Sequence, residues 1–347
     1  MMSTVRHATI AAAFAGLMLT QAACAQTAWT VASPDGKVAI RVGLGEKAQL
    51  QYDVTCDKQT VISQSPLGIS RKDQTFVDGL KFVEAGAVKT IDETYTMTSG
   101  KRKICRNFAN EQTLAFQNAD GVKFELIVRA YNDGVAFRYR FPGKSETTYT
   151  VTGESTGFHL PTGGKMWAHP YDTPGKYTPA YETYYVNGVN VGAASANQTG
   201  WAFPVLACTA DRSRWLLVTE ADVDYAYCGS HLSQKAVDGV YSLRFPDEGE
   251  GDNTGVVEPS WTLPWHTPWR AVIVGDSPAD VVESTLVTDL SLPSTVKDTS
   301  WIKPGRASWS WLFDHDSPQD CTKLKQWVDL AAEMGWEYSL VDANWDR

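Results

Sequence analysis

The sequence predicts a mainly β protein, a large N-terminal antiparallel β-sandwich followed by the first βαβ unit of a truncated (β/α)8 barrel. Three observations lead there. From Trp29 to about Leu292, short segments alternate apolar and polar residues between turn formers, the period of half-buried antiparallel strands. That stretch is too long for one small sandwich and calls for a large two-sheet one. From Gly305 onward the period changes to strand, helix, strand, and one such unit cannot bury both faces of two parallel strands. The resulting division is 1–25 targeting segment, 26–292 sandwich, 293–304 linker and 305–347 the incomplete start of a barrel.

The first 25 residues read as a cleavable signal. Arg6 and His7 precede the apolar run ATIAAAFAGLMLT, and Ala23-Cys24-Ala25 offers small residues for cleavage before Gln26, which implies a periplasmic or secreted protein. Acylation of Cys24 is the rival reading, although Gln21 fits that signal poorly. No other segment is apolar enough to span a membrane. The formal charge of −9, with no basic stripe, excludes a nucleic-acid partner. Thirteen Trp and fourteen Tyr suit sugar-stacking surfaces, and equally a large sheet core. Cys56, Cys105, Cys208, Cys228 and Cys321 contain no C-x-x-C pair, so zinc is not expected; buried thiols are, with Cys208–Cys228 the pair to test for a bridge.

Along the sandwich, Val38–Val42 and Leu50–Val54 alternate after the turn Pro34-Asp35-Gly36. Val122–Tyr131 and Val135–Phe141 form a hairpin around Asn132-Asp133-Gly134, where Asp-Gly is expected to supply left-handed backbone. Phe137, Tyr139 and Phe141 share the packed face, while Arg138 and Arg140 share the wet one. No helix is evident before Ser277; Pro278–Leu286 then reads as a short helix and Gly305–Trp311 as a strand. Ser317 is placed as helix cap, with Pro318 at the first helical position and Asp320 near the positive end. Leu324, Trp327, Val328, Ala331 and Met334 recur at helical spacing up to Gly335, and Glu337–Trp345 follows as a strand.

Several stretches carry a family likeness: SPDGK (33–37), RAYNDGVAFRYRF (129–141), YETYY (181–185), TPWR (267–270), PGRASWSW (304–311) and DLAAEMGWEYSLVDANW (329–345). In this order and spacing they resemble glycoside hydrolase family 97, exported bacterial α-glycosidases of the α-glucosidase and α-galactosidase kind. The resemblance implies a sandwich packed on a (β/α)8 barrel, a small C-terminal β-domain, an oligosaccharide or α-glycoside substrate, calcium near that substrate, and catalytic carboxylates from later barrel strands, beyond Arg347. It also implies Glu182, in the Tyr-rich loop 178–185, as a calcium ligand, with a solvated glutamate as the alternative.

Glycoside hydrolysis needs two carboxyl groups flanking the scissile bond. Of the acids in the terminal unit, Asp316 belongs to the helix entry, and Asp342 ends a strand where it either meets a sugar hydroxyl or holds a neighbouring loop. Trp309 and Trp311 share one side of a strand; Trp311, nearer the carboxyl end, is the expected sugar platform and Trp309 is expected in the core. Trp345 is a second platform candidate. The acidic run 247–252 lacks the spacing of an EF-hand and reads as a solvated loop, and His266 as structural. The reading from another class is a non-catalytic carbohydrate-binding sandwich protein; a surface scaffold would follow only from an acylated Cys24.

Overall fold

The computed structural model describes residues 27–178 and 183–346. All strand pairings between Ala28 and Gly275 are antiparallel. One layer is the meander Ala28–Ala32, Val38–Leu44, Leu50–Cys56 and Gln59–Pro66. The other runs in spatial order Lys89–Thr96, Ile104–Gln117, Lys123–Tyr131, Gly134–Glu154, Trp269–Gly275, Trp215–Ala221, Trp201–Cys208 and Lys165–Pro170. The strand Gly134–Glu154 runs on beyond the larger layer. It pairs with Trp269–Gly275, shifts register twice along Ser260–His266, and ends against Ile69–Arg71. Such bulged, bent strands are how a sheet turns a corner.

Alternation along each strand puts one set of side chains between the layers. Ile40, Tyr52 and Val54 from the meander meet Phe116, Leu126 and Phe137 from the facing layer, all essentially without solvent contact. Trp29 lies edge-on to Phe116 at 5.4 Å and Tyr52 packs on Phe137 at 4.9 Å. Each such side chain contributes about 2 kcal/mol through burial. Phe137, Tyr139 and Phe141 are buried as their alternation requires. Arg138, expected in water, instead covers the ring of Trp269 from 4.3 Å and pairs with Asp222, while Arg140 pairs with Glu125.

The hairpin at Asn132-Asp133 forms in the expected register, with Tyr131 opposite Gly134. Its chemistry differs from expectation, because residues 132–134 are absent from the positions with positive φ. Gly134 is there for space: a Cβ would lie 2.4 Å from the Val272 carbonyl oxygen and 2.7 Å from Leu286 Cδ1.

A second, smaller core lies on the outer face of the larger layer, where Val281, Leu286 and Leu290 cover Ile127, Trp269 and Ile273. The expected single helix over 278–286 is two pieces, Pro278–Glu283 and Leu286–Leu290. Ser277 and Asp280 form a capping box on the first. Cys56, Cys105, Cys208 and Cys228 are buried thiols and Cys321 an exposed one, so Cys208 and Cys228 are not bridged. Burial pushes the Cys228 thiol up to about 12. Among the described residues no helix is long and apolar enough to cross a membrane.

In the terminal unit Ala307–Trp309 pairs in parallel with Tyr338–Leu340, and the helix Cys321–Glu333 connects them. Both strands are shorter than expected, since 305–311 and 337–345 each contribute three paired residues. The helix also starts later than expected. Ser317–Gln319 is a separate 3-10 turn, and Asp320 is the cap, accepting from the Thr322 and Lys323 amides. Ser317 is buried, with its hydroxyl turned to Ser310 Oγ and the Asp314 carbonyl. At the other end Trp336 N–H donates to Ala331 and Gly335 N–H to Ala332, a Schellman cap closed by Gly335 at φ 64°. Asp320→Ala is expected to cost about 1 kcal/mol, read as a lower urea midpoint, whereas Ser317→Ala should leave helix content unchanged.

Candidate functional site

The parallel strand pair carries the predicted site residues at its carboxyl edge. Ser308 and Ser310 point inward and are buried; Ser308 Oγ lies 2.9 Å from Ser339 Oγ and donates to the Trp327 carbonyl. Period-two alternation therefore turns Trp309 outward. It is 37% exposed, which corrects its assignment to the core. Its indole N–H donates to Asp342 Oδ2 at 2.8 Å, while Asp342 Oδ1 accepts from the Ala343 amide. A carboxylate held at both oxygens fixes the tilt of the ring beside it and keeps outward lone pairs for further donors.

Asp342 follows the strand end at Leu340, and Asn344, at φ 69°, and Trp345 lie in the turn after it. Trp345 is 69% exposed and has no ring partner among the described residues. Trp311 is half-buried and stacks on His315, with centroids 4.6 Å apart, so one face is covered. The structure thus joins Asp342 to Trp309, which sequence reasoning had passed over, and does not join it to Trp311 or Trp345. The W-S-W spacing and the strand-end acid were the signals for that pair.

The other acids of the unit are engaged or solvated. Asp314 binds Lys323, and that hydrogen bond lowers its pKa. Asp316 is exposed at the entry of the 3-10 turn. No two free carboxylates face one another across this edge among the described residues.

On the sandwich, Glu182 lies outside the described residues. Beside it, Thr183 Oγ1 sits 2.8 Å from His169 Nε2. The acidic run is not simply solvated, as expected, because Asp247 pairs with Arg244 and Glu250 accepts from Tyr171, which stacks on His231 at 3.8 Å. With Tyr225 and Tyr227 this loop bounds a cavity of about 630 Å³. His266 is half-buried against Arg138 and the Thr267 carbonyl, a structural role as expected; burial, then Arg138, lowers its pKa.

The described residues do not assemble a calcium site. The one grouping of potential ligands among them, Cys56, Asp57 and Asp276, already holds the Arg214 guanidinium between its two carboxylates. Calcium wants several oxygens and no neighbouring cation.

The motif TPWR (267–270) resolves into a buried construction. Thr267 exchanges hydrogen bonds with Tyr139, and the guanidinium groups of Arg129 and Arg138 lie over the Trp269 ring at 4.6 and 4.3 Å. Arg270, without solvent contact, meets Glu154 through Nε and Nη2 and Glu220 through Nη1 at 2.6 Å. Tyr227 donates to Glu154, and Ser230 to Glu220.

The family model described as Glycosyl-hydrolase 97 N-terminal matches residues 31–293, most of this construction. The chain belongs to glycoside hydrolase family 97. Among curated relatives, a probable retaining alpha-galactosidase of Streptomyces bingchenggensis is 32% identical over 95% of the chain and 49% of the relative. A retaining alpha-galactosidase of Bacteroides thetaiotaomicron is 27% identical over 92% and 51%. Among solved structures, a beta-arabinopyranosidase matches with TM-score 0.85 and 31% identity over 92% of the chain and 51% of its own. A family 97 enzyme from Pseudoalteromonas sp. strain K8, in complex with panose, matches at 0.76 and 23% over 91% and 48%, which supports the fold. The chain spans about half the length of the relatives it matches.

Proposed function

We propose that the protein carrying these residues is an exo-acting α-glycoside hydrolase of the α-galactosidase type that retains anomeric configuration. Family membership and the two curated retaining alpha-galactosidases support the reaction class. The observation that carries the site is the Trp309–Asp342 pair on the carboxyl edge of two parallel strands, where a (β/α)8 barrel builds its active centre. In this reading residues 305–347 open such a barrel. Trp309 supplies an apolar ring for one sugar face, and Asp342 orients it and accepts from a hydroxyl. Trp311 and Trp345 border the same edge. Retention requires two carboxyl groups about 5–5.5 Å apart, one attacking the anomeric carbon and one protonating the departing oxygen. We place both outside these 347 residues.

The proposal includes export behind the leader 1–25 and calcium as cofactor, with Glu182 as one oxygen ligand, which rest on the sequence and the resemblance. Calcium would add positive charge beside the substrate. For the full-length gene product, Glu182→Gln is expected to weaken calcium affinity about tenfold or more in calorimetry, the loss of one charge-assisted contact; unchanged affinity removes Glu182 from the ligand set. Proton NMR of nitrophenyl α-galactoside hydrolysis tests the reaction itself. The α-anomer is expected first, and first appearance of the β-anomer contradicts retention.

A further inference from the structure

A second cavity, of about 420 Å³, opens on the sandwich away from the Trp309–Asp342 edge in sequence, and a buried arginine lines it. Arg71 is 7% exposed. It ends the strand Ile69–Arg71, and the tight turn to Gln74 brings Asp73 back under its guanidinium, with Nε 3.0 Å and Nη2 2.7 Å from the two carboxylate oxygens. Three rings wall the same group, Tyr149 at 4.4 Å, Phe141 at 4.8 Å and Phe76 at 5.6 Å. Nη1 is left without a hydrogen-bond partner among the described residues.

The cavity wall continues the pattern. Lys123 lines it, is exposed, and has no ion-pair partner among the described residues. Gln74 Oε1 accepts from Asn118 at 2.6 Å, which fixes the amide and leaves its NH2 free to donate. Asp73 keeps 44% of its side chain exposed, with lone pairs beyond those used by Arg71. Two cations and one carboxylate leave a net positive charge in a site with an aromatic wall. The guanidinium is already immobilised, so engaging it costs little further side-chain entropy.

We propose that this cavity binds an acidic sugar, a uronic acid residue of a glycan. Its carboxylate lies between Arg71 Nη1 and Lys123, its hydroxyls meet Asp73 and the Gln74 amide, and its apolar face lies along Tyr149 and Pro142. The volume is in the range of small-ligand pockets and suits one monosaccharide. A small carboxylate or phosphate shares the charge but not the hydroxyl and ring contacts, and a neutral hexose shares the contacts but not the charge.

Calorimetry of the protein with galacturonate, galactose, acetate and inorganic phosphate at fixed ionic strength tests the assignment. Galacturonate is expected to bind about tenfold more tightly than any of the other three, the scale of one charge-assisted hydrogen bond. The exposed substitution Lys123→Glu should weaken it by about the same factor with circular dichroism and melting temperature unchanged, and Gln74→Glu should act in the same direction. Absence of galacturonate binding, equal binding of galactose, acetate or phosphate, or indifference to Lys123→Glu would each overturn the proposal.

Discussion

Arg270→Met is expected to destabilise the sandwich by about 3–5 kcal/mol, against a total of about 5–15 kcal/mol for a domain. The reason is not the loss of an attraction alone. Arg270 and Glu154 have no solvent contact, and Glu220 keeps 14% of its side chain exposed, so removing the cation strands two carboxylates in a low dielectric. Burial already raises the Glu220 pKa even with Arg270 beside it. In the variant, without the lowering effect of Arg270, Glu220 should titrate further above its unfolded value. The folded state then binds more protons than the unfolded one, so stability is greatest below the unfolded pKa and is lost as pH rises through the folded one. Urea unfolding should accordingly show the deficit of Arg270→Met shrinking toward acid pH. Replacing all three groups together, Arg270→Met with Glu154→Leu and Glu220→Leu, should recover most of the loss, because no uncompensated charge remains. A single variant as stable as the parent at neutral pH would mean that the interior is wetter than the geometry indicates.

Gly134→Ala is expected to cost about 3 kcal/mol or more, since its Cβ would overlap the Val272 carbonyl oxygen at 2.4 Å and approach Ile273 Cα at 3.0 Å, neither of which is a flexible side-chain end. The strand Trp269–Gly275 would have to move, and the outer core under Leu286 with it. Gly153→Ala, in the same strand, is the control. Nothing lies within 4 Å of its Cβ, and its φ is not positive. It should be neutral, or more stable by about 0.5 kcal/mol through the unfolded state. Equal costs at the two positions would show that glycine's flexibility, rather than close approach, governs both.

Where the sequence can be read, the information is local. Alternation over 135–141 placed Phe137, Tyr139 and Phe141 inside, and Gly335 ended its helix, because period and cap chemistry act between near neighbours. The start of that helix was misplaced by three residues because Ser317 and Asp320 are both cap formers. Tertiary contacts to Ser310 and Asp314 take the serine hydroxyl, which leaves Asp320 as the cap. Arg138 was assigned to water for a similar reason, since nothing near it in the chain announces Trp269. The Arg270 construction joins residues 116 and 50 positions apart and has no local signature at all. At the parallel strand pair, the position of Asp342 just past a strand end was legible. The partner was not, because telling Trp309 from Trp311 requires knowing where the strand pairing stops.

The proposed function holds that these residues supply a sandwich and a sugar-contacting edge, with the two reactive carboxylates outside them. Assay of the purified 347-residue chain on nitrophenyl α-galactoside tests it most directly, beside the full-length gene product. The account predicts release of nitrophenol at the uncatalysed rate from the 347-residue chain and turnover from the full-length protein. Turnover by the shorter chain, abolished by substituting one of its own acids, would contradict it.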